Sequence, residues 1–308
     1  MASLNYYNDI RELIGNTPIL KLNHLGIKPA VNLFAKLEFY NPGGSVKDRI
    51  GKSMIEDAER RGLLNAGSTI IEATAGNTGL GIALAAINKG YRIIFIVPEK
   101  FSAEKQILMK ALGAEIINTP REKGMLGAME TATQLRREIP NSIELAQFEN
   151  PANPLIHYET TGFEIYQSLN GDIDYLVAGA GSGGTFTGVL RYLKEQNSNI
   201  KGILADPMGS TMGGGPEHCY NIEGIGNNFI PETMDMSLVD DVIKISDEVA
   251  FRMVKDLALK EGILAGTSSA AAVAASIHLA RKIKSGNIVT ILPDRGDRYF
   301  SKKIYEDA

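Results

Sequence analysis

The stretch NPGGSVKDR, residues 41–49, places a lysine three residues after a Pro-Gly-Gly turn, where a helical pattern begins. A helix start carries partial positive charge and unpaired N–H groups, so it suits anions and disfavours an ammonium. Taken alone, Lys47 reads as a solvated surface residue. Its position also suits a neutral amine, because partial burial and a positive helix end both lower a lysine pKa from about 10.4. Three strand-to-helix junctions concentrate glycine and hydroxyls: TAGNTG (74–79), GAGSGGT (179–185) and GTSS (266–269). Beyond the carboxyl ends of strands in an open α/β sheet, such loops line one cleft.

The 179–185 loop follows an apolar strand and precedes a helix, so its N–H groups and the hydroxyls of Ser182 and Thr185 can cradle a phosphate. Gly179, Gly181 and Gly184 also satisfy G-x-G-x-x-G, with Asp206 22 positions beyond the last glycine, so a dinucleotide site competes. That reading leaves Lys47 without a role. Pyridoxal phosphate needs both an anion cradle and an amine for a Schiff base, so it accounts for both features. The rivals are a nicotinamide oxidoreductase, resting on GAGSGG, and a non-catalytic binding protein that receives a partner's tail in the cleft. For the 74–79 stretch, helix capping is the plain alternative to ligand binding.

The elements that must position these loops alternate. Helical spacing of Ile50, Met54, Ile55 and Ala58 predicts a helix over 46 to 61, and strands are expected over 68–72, 91–97 and 114–118, separated by helices over 79–89 and 103–112. A second series follows a proline-marked joint at 148–154: helices over 161–169, 187–196, 247–260 and 269–283, and strands over 175–178, 201–205, 241–245 and 287–292. Strands separated by helices of this length imply right-handed βαβ units and parallel sheets, hence an α/β fold.

The 308 residues allow about two domains, and 44% hydrophobic with 22% charged residues describes a globular chain. A net charge of −4 with scattered Lys and Arg gives no basic face for nucleic acid. Cys219 is the single cysteine and there are four histidines, so no intrachain disulfide and no metal cluster is expected. No run approaches 18 apolar residues and the N-terminus lacks a signal pattern, so no membrane span and a cytoplasmic location are expected.

The motifs, in order, resemble those of the fold-type-II pyridoxal-phosphate enzymes, and more narrowly the cysteine synthase and cystathionine β-synthase family. The resemblance runs through IGNTP (14–18), NPGGSVKDR, EATAGNTG (72–79), GSGGT (181–185), EGIG (223–226), GTSSAA (266–271) and LPDRGDRY (292–299), and so covers nearly the whole chain. It implies two three-layer αβα domains with mostly parallel twisted sheets: residues 1–40 and 152–308 as the larger, phosphate-holding domain, and 41–151 as a smaller, mobile, substrate-binding one. It implies that Lys47 is the Schiff-base lysine and proton carrier, that Asn77 meets the ring hydroxyl, that Gly181, Ser182, Gly183, Gly184 and Thr185 hold the phosphate, and that Ser268 faces the pyridine nitrogen. Thr74, Ala75, Gly76, Thr78, Gln147 and Gly224 then bind substrate, and Asn227 and Asn228 either tune nucleophile choice or make a turn.

The implied reaction is β-replacement on O-acetylserine or serine through an aminoacrylate, adding homocysteine or sulfide, in a homodimer. Ala75 stands where the commonest cysteine synthase loop carries serine. With LPDRGDRY, that resembles the short bacterial cystathionine β-synthases and tilts the expected thiol toward homocysteine, with cysteine synthesis and cysteine desulfhydration as alternatives.

Overall fold

The computed structural model describes residues 6–74, 76–99 and 102–306. It contains two sheets. The six-stranded sheet has the order β1-β2-β10-β7-β8-β9, with β1 (Ile19–Lys21), β2 (Val31–Leu37), β7 (Tyr175–Gly179), β8 (Lys201–Pro207), β9 (Asp241–Ile245) and β10 (Gly286–Leu292). Only β1 runs antiparallel to its neighbour. The four-stranded sheet is parallel throughout in the order β5-β4-β3-β6, formed by β3 (Thr69–Ala73), β4 (Arg92–Pro98), β5 (Glu115–Thr119) and β6 (Ser142–Ile143).

Parallel strands need helical crossovers, which cover both faces of a sheet. In the small sheet, α1 (Lys47–Arg60), α2 (Asn77–Ala86) and α3 (Ala103–Ala111) bury Ile50, Ile82 and Met109 with Ile70 and Phe95 on one face. On the other, α4 (Gly124–Glu138) buries Ala128 and Ala132 against Ile71 and Ile94. That is why β4 reads as an apolar run, and β3 as one broken by Glu72.

A helical stretch of α5 (Ala152–Ile156), a wider π-helical turn (His157–Gly162) and α6 (Phe163–Ser168) leads to the large sheet. One face of that sheet packs α7 (Gly184–Gln196) through Phe186, Val189 and Leu190. The other packs α8 (Asp247–Asp256) and α9 (Thr267–Lys282), whose alanine-rich surface is buried almost all round. The fold is therefore α/β, with two mostly parallel sheets in αβα layers.

Two features fix α1 in place. At the crossing of α1 and α2, a Cβ on Gly81 would strike the Lys47 carbonyl and one on Gly51 would strike Gly81, so only glycine lets these helices approach so closely. Beneath, Arg49 pairs with Glu38 at 2.8 Å and Glu164 at 2.7 Å, while Lys36 meets Glu164 at 2.6 Å and Thr17 donates to Glu38 at 2.6 Å. This buried network ties the 14–18 motif, the end of β2, α1 and α6 into one frame.

Beyond the elements expected from the sequence, the structure adds β1, β2, α4, β6 and the helical residues from 152. In β2 the signal was present, since Val31, Leu33, Ala35 and Leu37 alternate and are buried. The crossover α4, GMLGAMETATQLRRE, presents mostly small apolar residues to its sheet and gives only a weak pattern.

Candidate active site

The turn before α1 is held from across the cleft. Val46 N–H donates to the Pro293 carbonyl at 2.8 Å, Ser45 pairs with Asp294, and Arg298 donates to the Gly43 carbonyl. A Cβ on Gly44, at φ 78°, would meet the Arg298 guanidinium, so the Pro-Gly-Gly turn admits that contact. Lys47 is the first residue of α1, and its amine lies in enclosed surroundings although part of the side chain stays accessible. Burial drives its pKa down from 10.5 to about 8, opposed by the nearby Asp294 carboxylate.

Lys47 lines one cavity with Gly181, Ser182, Gly183, Thr185 and Gly224. The loop reaches it because Gly183 adopts φ 85° as the residue before α7, whose N-terminal turn opens there. A Cβ on Gly183 would run into Met234, and one on Gly181 would lie 2.5 Å from the Gly224 carbonyl. Gly184 sits behind the loop against the Asn153 side chain. Asn227 donates to the Gly181 carbonyl at 2.6 Å, whereas Asn228 turns away to Glu217 at 3.2 Å. Asn227 thus braces the loop.

The remaining expected residues join through hydrogen bonds. Asn77, starting α2, donates to Asp294 at 2.6 Å, and its buried Oδ1 has no partner among the described residues. Ser268, in the first turn of α9, faces Gly224, its Oγ 3.8 Å from where a Cβ would stand. The Thr74 hydroxyl accepts from the N–H groups of Gly76 at 3.1 Å and Gly79 at 3.0 Å, so it does cap α2. Thr78 donates to Gln147 Oε1 at 2.6 Å, and Asn153 links Gln147 to the loop by donating to its carbonyl at 2.7 Å and to Ser182 Oγ at 2.9 Å. Ala75 lies outside the described residues.

Sequence reasoning gave no role to four residues that complete the site: Asp294, Tyr299, Asn153 and His157. Tyr299 donates to Asp294 and accepts from Lys105 at 3.0 Å, which in turn pairs with Glu223 at 3.4 Å, so one polar chain runs from α3 to Asn77. His157 stands 3.1 Å from Thr185 Oγ1 and 2.8 Å from Thr161 Oγ1. Burial lowers its pKa to about 3, with the Arg49 charge adding to the effect, so it is a neutral partner for the loop. Asp294 and Tyr299 fall within LPDRGDRY and were legible as motif members; Asn153 and His157 carry no local signal.

An enclosed amine of lowered pKa, a glycine cradle that any Cβ would fill and a buried amide oxygen left unpartnered fit a phosphate-bearing aldehyde cofactor. The family described as "Pyridoxal-phosphate dependent enzyme" matches residues 10–294, and the chain belongs to it. Its cofactor is pyridoxal phosphate.

Within the family the chain is 52% identical to the O-acetylserine dependent cystathionine beta-synthase of Bacillus subtilis, over 97% of both chains. It is 46% identical to a cysteine synthase of Helicobacter pylori, over 96% of this chain and 98% of that one. The crystal structure of the O-acetylserine dependent cystathionine beta-synthase from Helicobacter pylori superposes with a TM-score of 0.95 at 44% identity, covering 98% of this chain and 100% of that one. No helix among the described residues is long and apolar enough to cross a membrane.

Proposed function

We propose that this chain catalyses β-replacement on an activated serine, O-acetylserine or serine, adding homocysteine in preference to sulfide and so forming cystathionine. The observation that carries the reading is the enclosed Lys47 amine facing the 181–185 loop in one cavity. Lys47 anchors the cofactor through its amine, Gly181 to Thr185 and the start of α7 hold the phosphate, Asn77 meets the ring hydroxyl and Ser268 the ring nitrogen. When bound, pyridoxal phosphate supplies an electron sink that makes the substrate's α-proton acidic and its β-substituent a leaving group.

The chain's residues do the rest. Lys47, an enclosed amine whose pKa is lowered to about 8, is the group that would take the α-proton when it is free and neutral. A substrate carboxylate is received at the start of α2 by Gly76 and Thr78, with Thr74 and Gln147 beside them, in a place where helix N–H groups point outward. Ser268, an uncharged hydroxyl, would face the ring nitrogen without supplying a carboxylate to keep it protonated, which would suit elimination and addition. The four-stranded unit, residues 41–151, closes on the substrate and excludes water.

The relatives named as O-acetylserine dependent cystathionine beta-synthases support homocysteine, and the relative named as a cysteine synthase supports sulfide as the second reading. We also propose a homodimer, by resemblance to the family, acting in the cytoplasm, where a lone Cys219 and no disulfide are suited. The test offers O-acetylserine with homocysteine or with sulfide. A higher kcat/KM with homocysteine is expected, and a strong preference for sulfide assigns the chain to cysteine synthesis instead.

A further inference from the structure

The small sheet contains a buried carboxylate that the reaction itself does not use. Glu72 sits on β3, two residues before Thr74, and is 2% exposed. Its Oε2 accepts from the N–H groups of Leu145 at 3.0 Å and Ala146 at 3.1 Å, and its Oε1 from that of Gln147 at 3.2 Å. One side chain thus satisfies three consecutive backbone donors. It does so where the ladder stops: β6 pairs with β3 only at Ser142 and Ile143, and the chain then leaves the sheet. The middle residue of the clasp, Ala146, adopts φ 53°, a left-handed conformation that costs a non-glycine residue roughly 1–2 kcal/mol. The next residue is Gln147, whose Oε1 accepts from Thr78, leaving its amide NH2 as the end it can offer a carboxylate.

We propose that Glu72 is a positioning residue, whose carboxylate clasps residues 145–147 in a left-handed turn so that Gln147 is aimed at the substrate's α-carboxylate. The proposal rests on the reading of Gln147 as a substrate-binding residue. Stability does not account for the arrangement. Burial, reinforced by the half-buried Glu144, pushes Glu72 from 4.5 up to about 7 despite the three N–H bonds, so ionised Glu72 destabilises the fold on balance. A group that holds backbone geometry at a cost to stability is the signature of a site whose geometry is under selection for function.

Glu72→Gln keeps the shape but replaces one acceptor oxygen with a donor that faces the clasped N–H groups. In the holoenzyme it raises KM for O-acetylserine about tenfold, equivalent to 1.4 kcal/mol, with kcat within about threefold and the melting temperature at pH 8 unchanged or higher. Calorimetric binding of L-alanine, which has the α-carboxylate and no leaving group, weakens to match. Adding Ala146→Gly to Glu72→Gln recovers at least about threefold of KM, because glycine adopts the left-handed turn without the clasp. Gln147→Ala is the control and raises KM alone.

If Gln147→Ala raises KM while Glu72→Gln leaves it unchanged, the positioning role is overturned. A fall in melting temperature with KM preserved in the folded fraction overturns it equally, in favour of a structural role. Were Gln147→Ala itself silent, the reading of Gln147 would fail, and Glu72 with it.

Discussion

The Lys47 amine should control how fast the apoenzyme takes up its cofactor, and its pKa gives the expected profile. Enclosure lowers that pKa from 10.5 to about 8, against the pull of Asp294. At pH 7 about a tenth of the amine is then neutral, compared with roughly one part in 3,000 for a solvated lysine, a gain on the order of 300-fold in the attacking form. Mixing apoenzyme with pyridoxal phosphate and following the absorbance of the lysine-bound cofactor from pH 6 to 10 should give a rate that rises about tenfold per pH unit and levels off near pH 8. Asp294→Asn removes the opposing carboxylate, so the break should move to lower pH.

The same shift fixes a stability effect with a definite sign. The folded value lies below the unfolded one, so the ammonium is disfavoured in the fold. The cost is full below pH 8 and fades as pH rises from 8 to 10.5. At about 1.4 kcal/mol per unit it amounts to about 3 kcal/mol, so Lys47→Met should stabilise the apoenzyme at pH 7 by up to that amount in denaturant titration. A loading rate that climbs without a break to pH 10, together with a Lys47→Met apoenzyme no more stable than the parent, would refute the enclosed-amine argument.

Gly183→Ala combines a left-handed backbone, costing about 1–2 kcal/mol, with a Cβ driven into Met234, about 1–3 kcal/mol more; pyridoxal phosphate should dissociate at least about tenfold more readily in equilibrium dialysis. Arg49→Met leaves Glu38 buried without its ion-pair partner, while Glu164 keeps Lys36, and should lower unfolding free energy by about 3–5 kcal/mol. Adding Glu38→Gln should restore part of that loss, which distinguishes an unpaired charge from a packing defect. His157, held neutral by burial with a pKa of about 3, should show no imidazole titration by NMR between pH 5 and 8.

Much of the architecture was open to inspection because parallel strands buried on both faces write apolar runs, as in β4 and β7. The glycine-rich loops were equally legible: GAGSGGT needs little side-chain bulk wherever it stands, and Gly183 requires its positive φ. Residues placed by long-range packing were not legible. Asn153 and His157 lie on helical turns whose sequence gives no hint of Ser182 or Thr185, about 30 positions away.

The sequence by itself determined that an amine stands at a helix start and that a glycine-rich strand-to-helix loop lies over 130 positions later, since residue type and turn chemistry are local properties. Tertiary structure decided everything that depends on enclosure and approach. It set the lowered pKa of Lys47, which comes from desolvation. It drew α1 against α2 through Gly51 and Gly81, and it set Asp294 between Asn77, Tyr299 and the amine. It also bent the chain after β6 so that Glu72 could grip the residue before Gln147. Local preference cannot specify such contacts, because each depends on two distant segments reaching the same place.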